Sequence, residues 1–163
     1  MDNAAELVKR LSTLSLRIAL AESCTAGLVA NLIAEVPGAS KVFWGSFVSY
    51  TVEAKARMLG LDIKKINANG AVSRETALAM AEGALAESGA DLAAAVTGLA
   101  GPEGDGSATP VGTVWIATAL RGGGSGASVF RFAGDRNAVR SAAAEEVIRA
   151  LLARIKCKVL SVT

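Results

Sequence analysis

A short run of small and polar residues, Glu22-Ser-Cys-Thr-Ala-Gly27, follows one apolar segment and precedes another. A strand that enters a helix through such a turn leaves backbone N–H groups free. Together with the helix dipole, these groups favour a phosphate or a developing oxyanion. Ser23 or Cys24 in that position is a candidate nucleophile. The same pattern fits an ordinary helix start capped by Ser23 or Thr25, and both interpretations stay open.

The chain of 163 residues contains no histidine, which excludes Ser-His, Cys-His and histidine–metal mechanisms within it. A serine nucleophile then needs another base, and lysine is the usual substitute. Lys55 follows Tyr50 by five positions on a short predicted helix. It acts as a base only when burial or a neighbouring cation lowers its pKa from ~10.4 toward ~7–8. Tyr50 is placed to position the proton or the substrate. The alternative is that Lys55 and Glu53 lie on a solvated helix face.

A glycine-rich segment, residues 97–107, follows a third apolar run. In an open α/β sheet, ligands bind beyond the carboxyl ends of strands, where Thr97, Gly98 and Gly101 would lie. Their backbone N–H groups suit an anion. The segment has neither a Walker nor a dinucleotide-binding pattern, and a flexible turn is the alternative interpretation.

Two arginines, Arg136 and Arg140, stand four residues apart at the start of the last predicted helix. Residues at that spacing share one helix face, so the two guanidinium groups are able to clamp a phosphate together. Pairing with glutamates on the helix surface is the alternative.

The elements that must position these residues alternate between helices and apolar strands. Helices are predicted over residues 3–14, 28–35, 52–59, 76–86 and 135–155, and strands over 17–21, 43–50, 92–96, 111–119 and 128–132. A glycine-rich turn at 122–126 predicts an antiparallel hairpin between the last two strands, which makes the sheet mixed. The pattern predicts an α/β fold, a three-layer α/β/α sandwich, formed by one domain over residues 1–163.

Composition limits the partners of the chain. Its 17 basic and 15 acidic residues leave a net charge of +2, and no basic cluster suggests binding to nucleic acid. No apolar stretch approaches the ~18 residues that span a membrane, and the N-terminus lacks the features of a secretory signal. We therefore expect a soluble cytoplasmic protein without membrane or nucleic-acid partners. Cys24 and Cys157 are too few for a zinc site and are expected to be reduced thiols.

Six segments resemble, in order and spacing, the CinA C-terminal domain family, whose characterised activity is deamidation of nicotinamide mononucleotide. The segments are Ala21-Glu-Ser-Cys-Thr-Ala-Gly27, Tyr50-x4-Lys55 with Leu59-Gly60, Gly70-Ala-Val-Ser73, Ala95-Val-Thr-Gly-Leu-Ala-Gly-Pro102, Pro110-Val-Gly-Thr-Val114 and Phe132-x-Gly-Asp-Arg136-x3-Arg140. The resemblance runs from about Leu7 to Leu152. It implies hydrolysis of the nucleotide's carboxamide to nicotinic acid mononucleotide and ammonia in pyridine nucleotide recycling, without a metal or cofactor.

The resemblance also implies roles for individual residues. Ser23 is the expected nucleophile and Lys55 its partner, and backbone N–H groups hold the oxyanion. The residues expected around the substrate are Tyr50, Glu22, Cys24, Thr25, Gly27, Thr97, Gly98 and Gly101, with Arg140 and then Arg136 for the phosphate. Similar domains are α/β/α sandwiches that associate as homo-oligomers. Many relatives carry an N-terminal nucleotide-sugar pyrophosphatase domain, whose absence from this sequence predicts a standalone deamidase.

Four positions depart from the family pattern. Val52 stands where Asn is common, Thr109 replaces a Lys before Pro-Val-Gly, and Glu103 and Asp105 add negative charge that would repel a phosphate. These changes put affinity and substrate identity in question more than fold. A Ser-Lys amidase for another small amide and a non-catalytic nucleotide-binding or assembly module remain alternatives. So does a Cys24 nucleophile, if the helix start lowers its pKa.

Overall fold

The computed structural model describes residues 3–160, and side chains up to Lys156. The helices are α1 (Asn3–Thr13), α2 (Leu28–Ala34), α3 (Val52–Leu59), α4 (Ile63–Asn69), α5 (Arg74–Ser88) and α6 (Arg136–Leu160). The strands are β1 (Ile18–Glu22), β2 (Phe43–Val48), β3 (Leu92–Gly98), β4 (Thr113–Leu120) and β5 (Gly124–Arg131). A short 3-10 turn, Ala39–Lys41, leads into β2.

The five strands form one sheet in the order β2-β1-β3-β4-β5. Strand β1 runs parallel to β2 and β3, whereas β4 and β5 add antiparallel strands on one side. Glu22 at the end of β1 is level with Val48 of β2 and Val96 of β3. The chain segments that leave these three strands therefore meet at one edge of the sheet, as the α/β prediction requires.

Helices cover both faces of the sheet, which confirms the predicted mixed α/β fold. Large residues such as Leu20, Leu92 and Val96 pack toward α1, α2 and α6. On the face covered by α5, the buried residues that the central strands contribute are all alanines: Ala21, Ala93, Ala95, Ala117 and Ala119. Alanine side chains allow α5 to lie close to the strands, so the two faces are packed with residues of different size.

Several predicted boundaries differ from the structure. Helix α4 was not predicted, and β3 continues through Thr97 and Gly98, which were expected in a loop. Gly98 pairs with Val114 of β4, and an added Cβ would lie 2.6 Å from a Val114 methyl group, so glycine permits this extension. Strand β5 begins at Gly124, inside the predicted turn, because Leu120 and Gly124 already pair.

Some expectations concern residues at the chain ends. Residues 1–2 and 161–163 of the predicted domain, and the side chain of Cys157, lie outside the described part of the chain. Between residues 3 and 160, none of the helices is long and apolar enough to cross a membrane.

Candidate active site

Lys55 and Ser23 lie in direct contact at the edge where the parallel strands end. The Nζ atom of Lys55 is 2.9 Å from Ser23 Oγ, 2.8 Å from the Ser49 carbonyl oxygen and 3.3 Å from the Tyr50 carbonyl oxygen. Thr51 caps α3 by accepting a hydrogen bond from the Ala54 N–H, so the helix starts at Val52 and Lys55 lies in its first turn. Serine and lysine thus come from neighbouring strand ends and are held together by the sheet.

The environment of Lys55 makes it easier to deprotonate. Only 1% of Lys55 and 8% of Ser23 are exposed. Burial lowers the pKa of Lys55 from its ordinary value of 10.5 to about 8. Within residues 3–156, no carboxylate pairs with its amino group. The alternative of a solvated helix face is therefore wrong for Lys55, although Glu53 is exposed.

A neutral lysine has two N–H donors and one lone pair. The Ser49 and Tyr50 carbonyl oxygens are placed to accept both N–H bonds. The charged amino group donates to Ser23 Oγ at 2.9 Å. Once the lysine is neutral, its lone pair can take that direction and accept the Ser23 hydroxyl proton. This is the arrangement that a serine nucleophile needs from its general base.

The carboxylate of Glu22 organises the turn that presents Ser23. It is fully buried and accepts five hydrogen bonds. The donors are the N–H groups of Gly27, Val29 and Ala30 and the hydroxyls of Thr25 and Ser46. A carboxylate at a helix start also meets the positive end of the helix dipole. Glu22, Thr25 and Gly27 therefore shape the turn that carries Ser23, and none of the three lines the cavity beside it.

Cys24 follows the nucleophile and is buried. Burial raises the pKa of its thiol to about 11, despite the nearby positive charges of Lys55 and Arg140. The thiol therefore stays protonated at neutral pH, and the structure favours Ser23 over Cys24 as the nucleophile.

A cavity of about 300 Å³ opens onto the Ser23–Lys55 pair. Its lining residues are Ser23, Cys24, Tyr50, Lys55, Ala71, Val72, Thr97, Gly98, Leu99, Ala100, Gly101, Glu103, Gly104, Asp105 and Arg136. The volume lies at the small end of the range for ligand sites. The predicted glycine-rich segment forms one wall, and the acidic residues Glu103 and Asp105 belong to it.

The hydroxyl of Thr97 donates to the Ala71 carbonyl oxygen at 2.8 Å, so it joins the end of β3 to the segment before α5. The motif Gly70-Ala-Val-Ser73 has no predicted role, and the Ser49 carbonyl is not predicted, because a main-chain acceptor leaves no mark on residue type. Ser49 lies inside the predicted strand 43–50, and Ala71 and Val72 lie before the predicted helix 76–86, so neither segment is marked by the end of a predicted strand.

The two arginines have different surroundings. Arg136 lines the cavity and donates to the Gly101 carbonyl oxygen at 2.7 Å and to the Tyr50 hydroxyl at 2.8 Å. Arg140 is half-buried outside the cavity lining, and donates from Nε to the Cys24 carbonyl oxygen and from Nη2 to that of Thr25, both at 3.0 Å. Of the two arginines, only Arg136 lines the cavity, whereas Arg140 contacts the turn beside it. The binding of a phosphate by either arginine, or by both together, stays a prediction.

The profile of the CinA C-terminal domain matches residues 2–155 of this chain. The chain belongs to the CinA C-terminal domain family. A CinA-like protein of Akkermansia muciniphila is 45% identical over 146 residues, which cover 90% of this chain and 35% of that protein. A CinA-like protein of Mycobacterium tuberculosis is 49% identical over 135 residues, with coverages of 83% and 31%. The chain thus spans about a third of the length of the curated relatives it matches.

Solved structures agree with this membership. A competence-damaged protein (CinA) superfamily protein from Escherichia coli superposes with a TM-score of 0.89 at 35% identity, over 92% of this chain and 87% of that one. A competence/damage inducible protein from Agrobacterium tumefaciens gives 0.86 at 42% identity, over 93% and 94% of the two chains. The fold and the family expected from the six sequence segments are both confirmed.

Proposed function

We propose that this chain is a serine–lysine amidase that hydrolyses the carboxamide of nicotinamide mononucleotide. The observation that carries the proposal is the contact between Lys55 and Ser23. A buried lysine without a carboxylate partner lies 2.9 Å from a serine hydroxyl that opens onto a cavity. Burying an ammonium group costs folding free energy. A lysine held this way is typical of general bases.

The reaction begins when neutral Lys55 takes the proton of Ser23 while Oγ attacks the carboxamide carbon. The carbonyl oxygen becomes a tetrahedral oxyanion, which backbone N–H groups stabilise. The C–N bond then breaks, Lys55 gives its proton to the leaving nitrogen, and ammonia departs. Lys55, again neutral, accepts a proton from water, which attacks the acyl-enzyme. The acid is released, and the lysine returns the proton to Ser23.

Resemblance to the family and the guanidinium group of Arg136 support the choice of substrate. Arg136 lines the cavity, and its Nε makes no hydrogen bond within the described residues, so the guanidinium can contact a phosphate. Glu103 and Asp105 line the same cavity and repel a dianion. Because of these two carboxylates, a Ser-Lys amidase for a less negatively charged amide is the second candidate.

The test is ammonia release and product analysis with purified protein and nicotinamide mononucleotide. Wild type, Ser23→Ala, Lys55→Met and Cys24→Ala are compared, with circular dichroism to check folding. We expect turnover in wild type and Cys24→Ala, and loss of at least about 10³-fold in the other two, since a serine and its base act as a unit. Wild-type turnover in Ser23→Ala overturns the nucleophile assignment. Folded wild type that binds the nucleotide without releasing ammonia indicates a binding module.

A further inference from the structure

We propose that Arg140 is a positioning residue that aims the backbone N–H of Cys24 at the reacting oxygen. This inference rests on the proposed amidase function and assigns one donor of its oxyanion site. It gives Arg140 a role in the chemical step, and none in phosphate binding.

Hydrogen bonds hold the peptide planes on either side of Cys24. All peptide bonds in this turn are trans, so the carbonyl of one residue and the N–H of the next point in opposite directions. The Ser23 carbonyl oxygen accepts a hydrogen bond from Ala26 N–H at 3.1 Å. The Cys24 N–H, in the same plane, therefore points away from the interior of the turn. Arg140 Nε holds the Cys24–Thr25 plane through the Cys24 carbonyl oxygen. Its Nη2 holds the Thr25–Ala26 plane through the Thr25 carbonyl oxygen, which keeps the Ala26 N–H directed at the Ser23 carbonyl oxygen. Both planes that flank Cys24 are thus fixed.

Most backbone N–H groups in this turn already have a hydrogen-bond acceptor. Ser23 N–H donates to the Val96 carbonyl oxygen, Ala26 N–H to Ser23, and Gly27 N–H to Glu22. Within the described residues, the N–H groups of Cys24 and Thr25 make no hydrogen bond to another residue, and that of Cys24 contacts only its own thiol. Cys24 lines the cavity, whereas Thr25 does not. The N–H of the residue after a nucleophile is a recurrent oxyanion donor in hydrolases.

The contacts of Arg140 separate it from a substrate-binding group. Its Nε and Nη2 atoms donate to carbonyl oxygens of the turn, and the side chain lies outside the cavity lining. A guanidinium bridges two acceptors in a fixed geometry, which a lysine ammonium does not reproduce. Arg140→Lys therefore keeps the positive charge and loosens the turn.

The experiment measures kcat and KM for Arg140→Lys with nicotinamide mononucleotide and with the corresponding nucleoside, which lacks the phosphate. We expect kcat to fall by about 10- to 100-fold, less than the ~10²–10³-fold that follows removal of an oxyanion donor. KM stays within about twofold for both substrates. Arg149→Lys, in the same helix and paired with Glu146 on the surface, is the matched control and keeps wild-type values. An unchanged kcat with a raised KM for the phosphorylated substrate alone overturns the proposal.

A second measurement does not depend on nicotinamide substrates. A fluorophosphonate probe labels an activated serine: Ser23 Oγ bonds to phosphorus, fluoride leaves, and Lys55 takes the hydroxyl proton. We expect slower labelling in Arg140→Lys, and partial recovery of Arg140→Ala when guanidinium ion is added at low, non-denaturing concentration. Labelling of Arg140→Lys at the wild-type rate overturns the positioning role. If wild type is labelled but releases no ammonia, the substrate assignment fails, while the comparison of labelling rates still tests Arg140.

Discussion

Replacing Lys55 by methionine is expected to change how the stability of the fold depends on pH. In the unfolded chain this lysine titrates near 10.5, and burial lowers its pKa to about 8 in the folded chain. Between these values the unfolded chain binds a proton that the folded chain lacks, so wild-type stability rises with pH. Below pH 8 the buried ammonium costs about 3 kcal/mol, since a tenfold change in proton affinity corresponds to about 1.4 kcal/mol.

The assay is urea unfolding of wild type and Lys55→Met at pH 7, 8 and 9. The difference in unfolding free energy between the two proteins should move in favour of wild type by about 1.3 kcal/mol from pH 7 to pH 9. The Cys24 thiol has a raised pKa of about 11 and contributes the opposite trend at high pH. The part of that contribution due to burial is common to both proteins and cancels in the difference, whereas the part due to the Lys55 charge, which lowers the thiol pKa, is lost in the variant. If the difference stays constant over this pH range, Lys55 does not titrate as a desolvated base and the proposed mechanism loses its base.

Further predictions concern the same site. We expect kcat/KM to rise with pH and level off above about 8, as the neutral fraction of Lys55 grows from roughly one tenth at pH 7; a flat profile from pH 6 to 9 contradicts this. Glu22→Gln should lower the free energy of unfolding, measured with urea, by about 3 kcal/mol or more. The reason is that an amide nitrogen replaces a carboxylate oxygen that accepts at least two hydrogen bonds, each worth ~1.5–3 kcal/mol. Glu35→Gln, at an exposed position, is the control, and an equal loss of unfolding free energy in both variants refutes the reasoning. Glu103→Gln should lower KM for the phosphorylated substrate roughly twofold and leave KM for the nucleoside unchanged; an equal change for both shows that Glu103 does not face the phosphate. Gly98→Ala should lower the free energy of unfolding by about 1–3 kcal/mol, since the added Cβ lies 2.6 Å from Val114 and 2.9 Å from the Thr113 carbonyl oxygen. An unchanged Tm means that the two strands move apart without losing stability.

The order of strands and helices could be predicted because apolar runs and helix caps are local features. Helix α4 was missed because only Ile66 of its seven residues is buried, which leaves almost no apolar periodicity. Its signals were the ends: Asp62 caps it by accepting from Lys64 N–H, and Gly70 follows it. Short helices of this kind are recognisable from their caps and not from their faces.

The Ser23–Lys55 pair could be proposed from residue types, whereas the surrounding roles could not. Sequence spacing places Glu22 beside the nucleophile, but only the fold shows that its carboxylate turns toward α2. Likewise, the shared helix face of Arg136 and Arg140 was evident, while their partners lie on segments 35 and more residues away. Which side chains face a cavity depends on such long-range contacts, and one sequence does not encode them locally.

The alanine-lined face of the sheet has a consequence for how the protein can diverge. Next to α5, the residues Ala93, Ala95 and Ala117 leave no room for growth, so substitutions by larger side chains push the helix outward. On the opposite face, Leu20 and Leu92 already fill their space, and smaller replacements leave voids. Within a single strand, one set of positions therefore tolerates only small side chains, and the alternate set tolerates only large ones. Alternate positions of β3 from Leu92 to Thr97 should tolerate different substitutions even though all of them are buried.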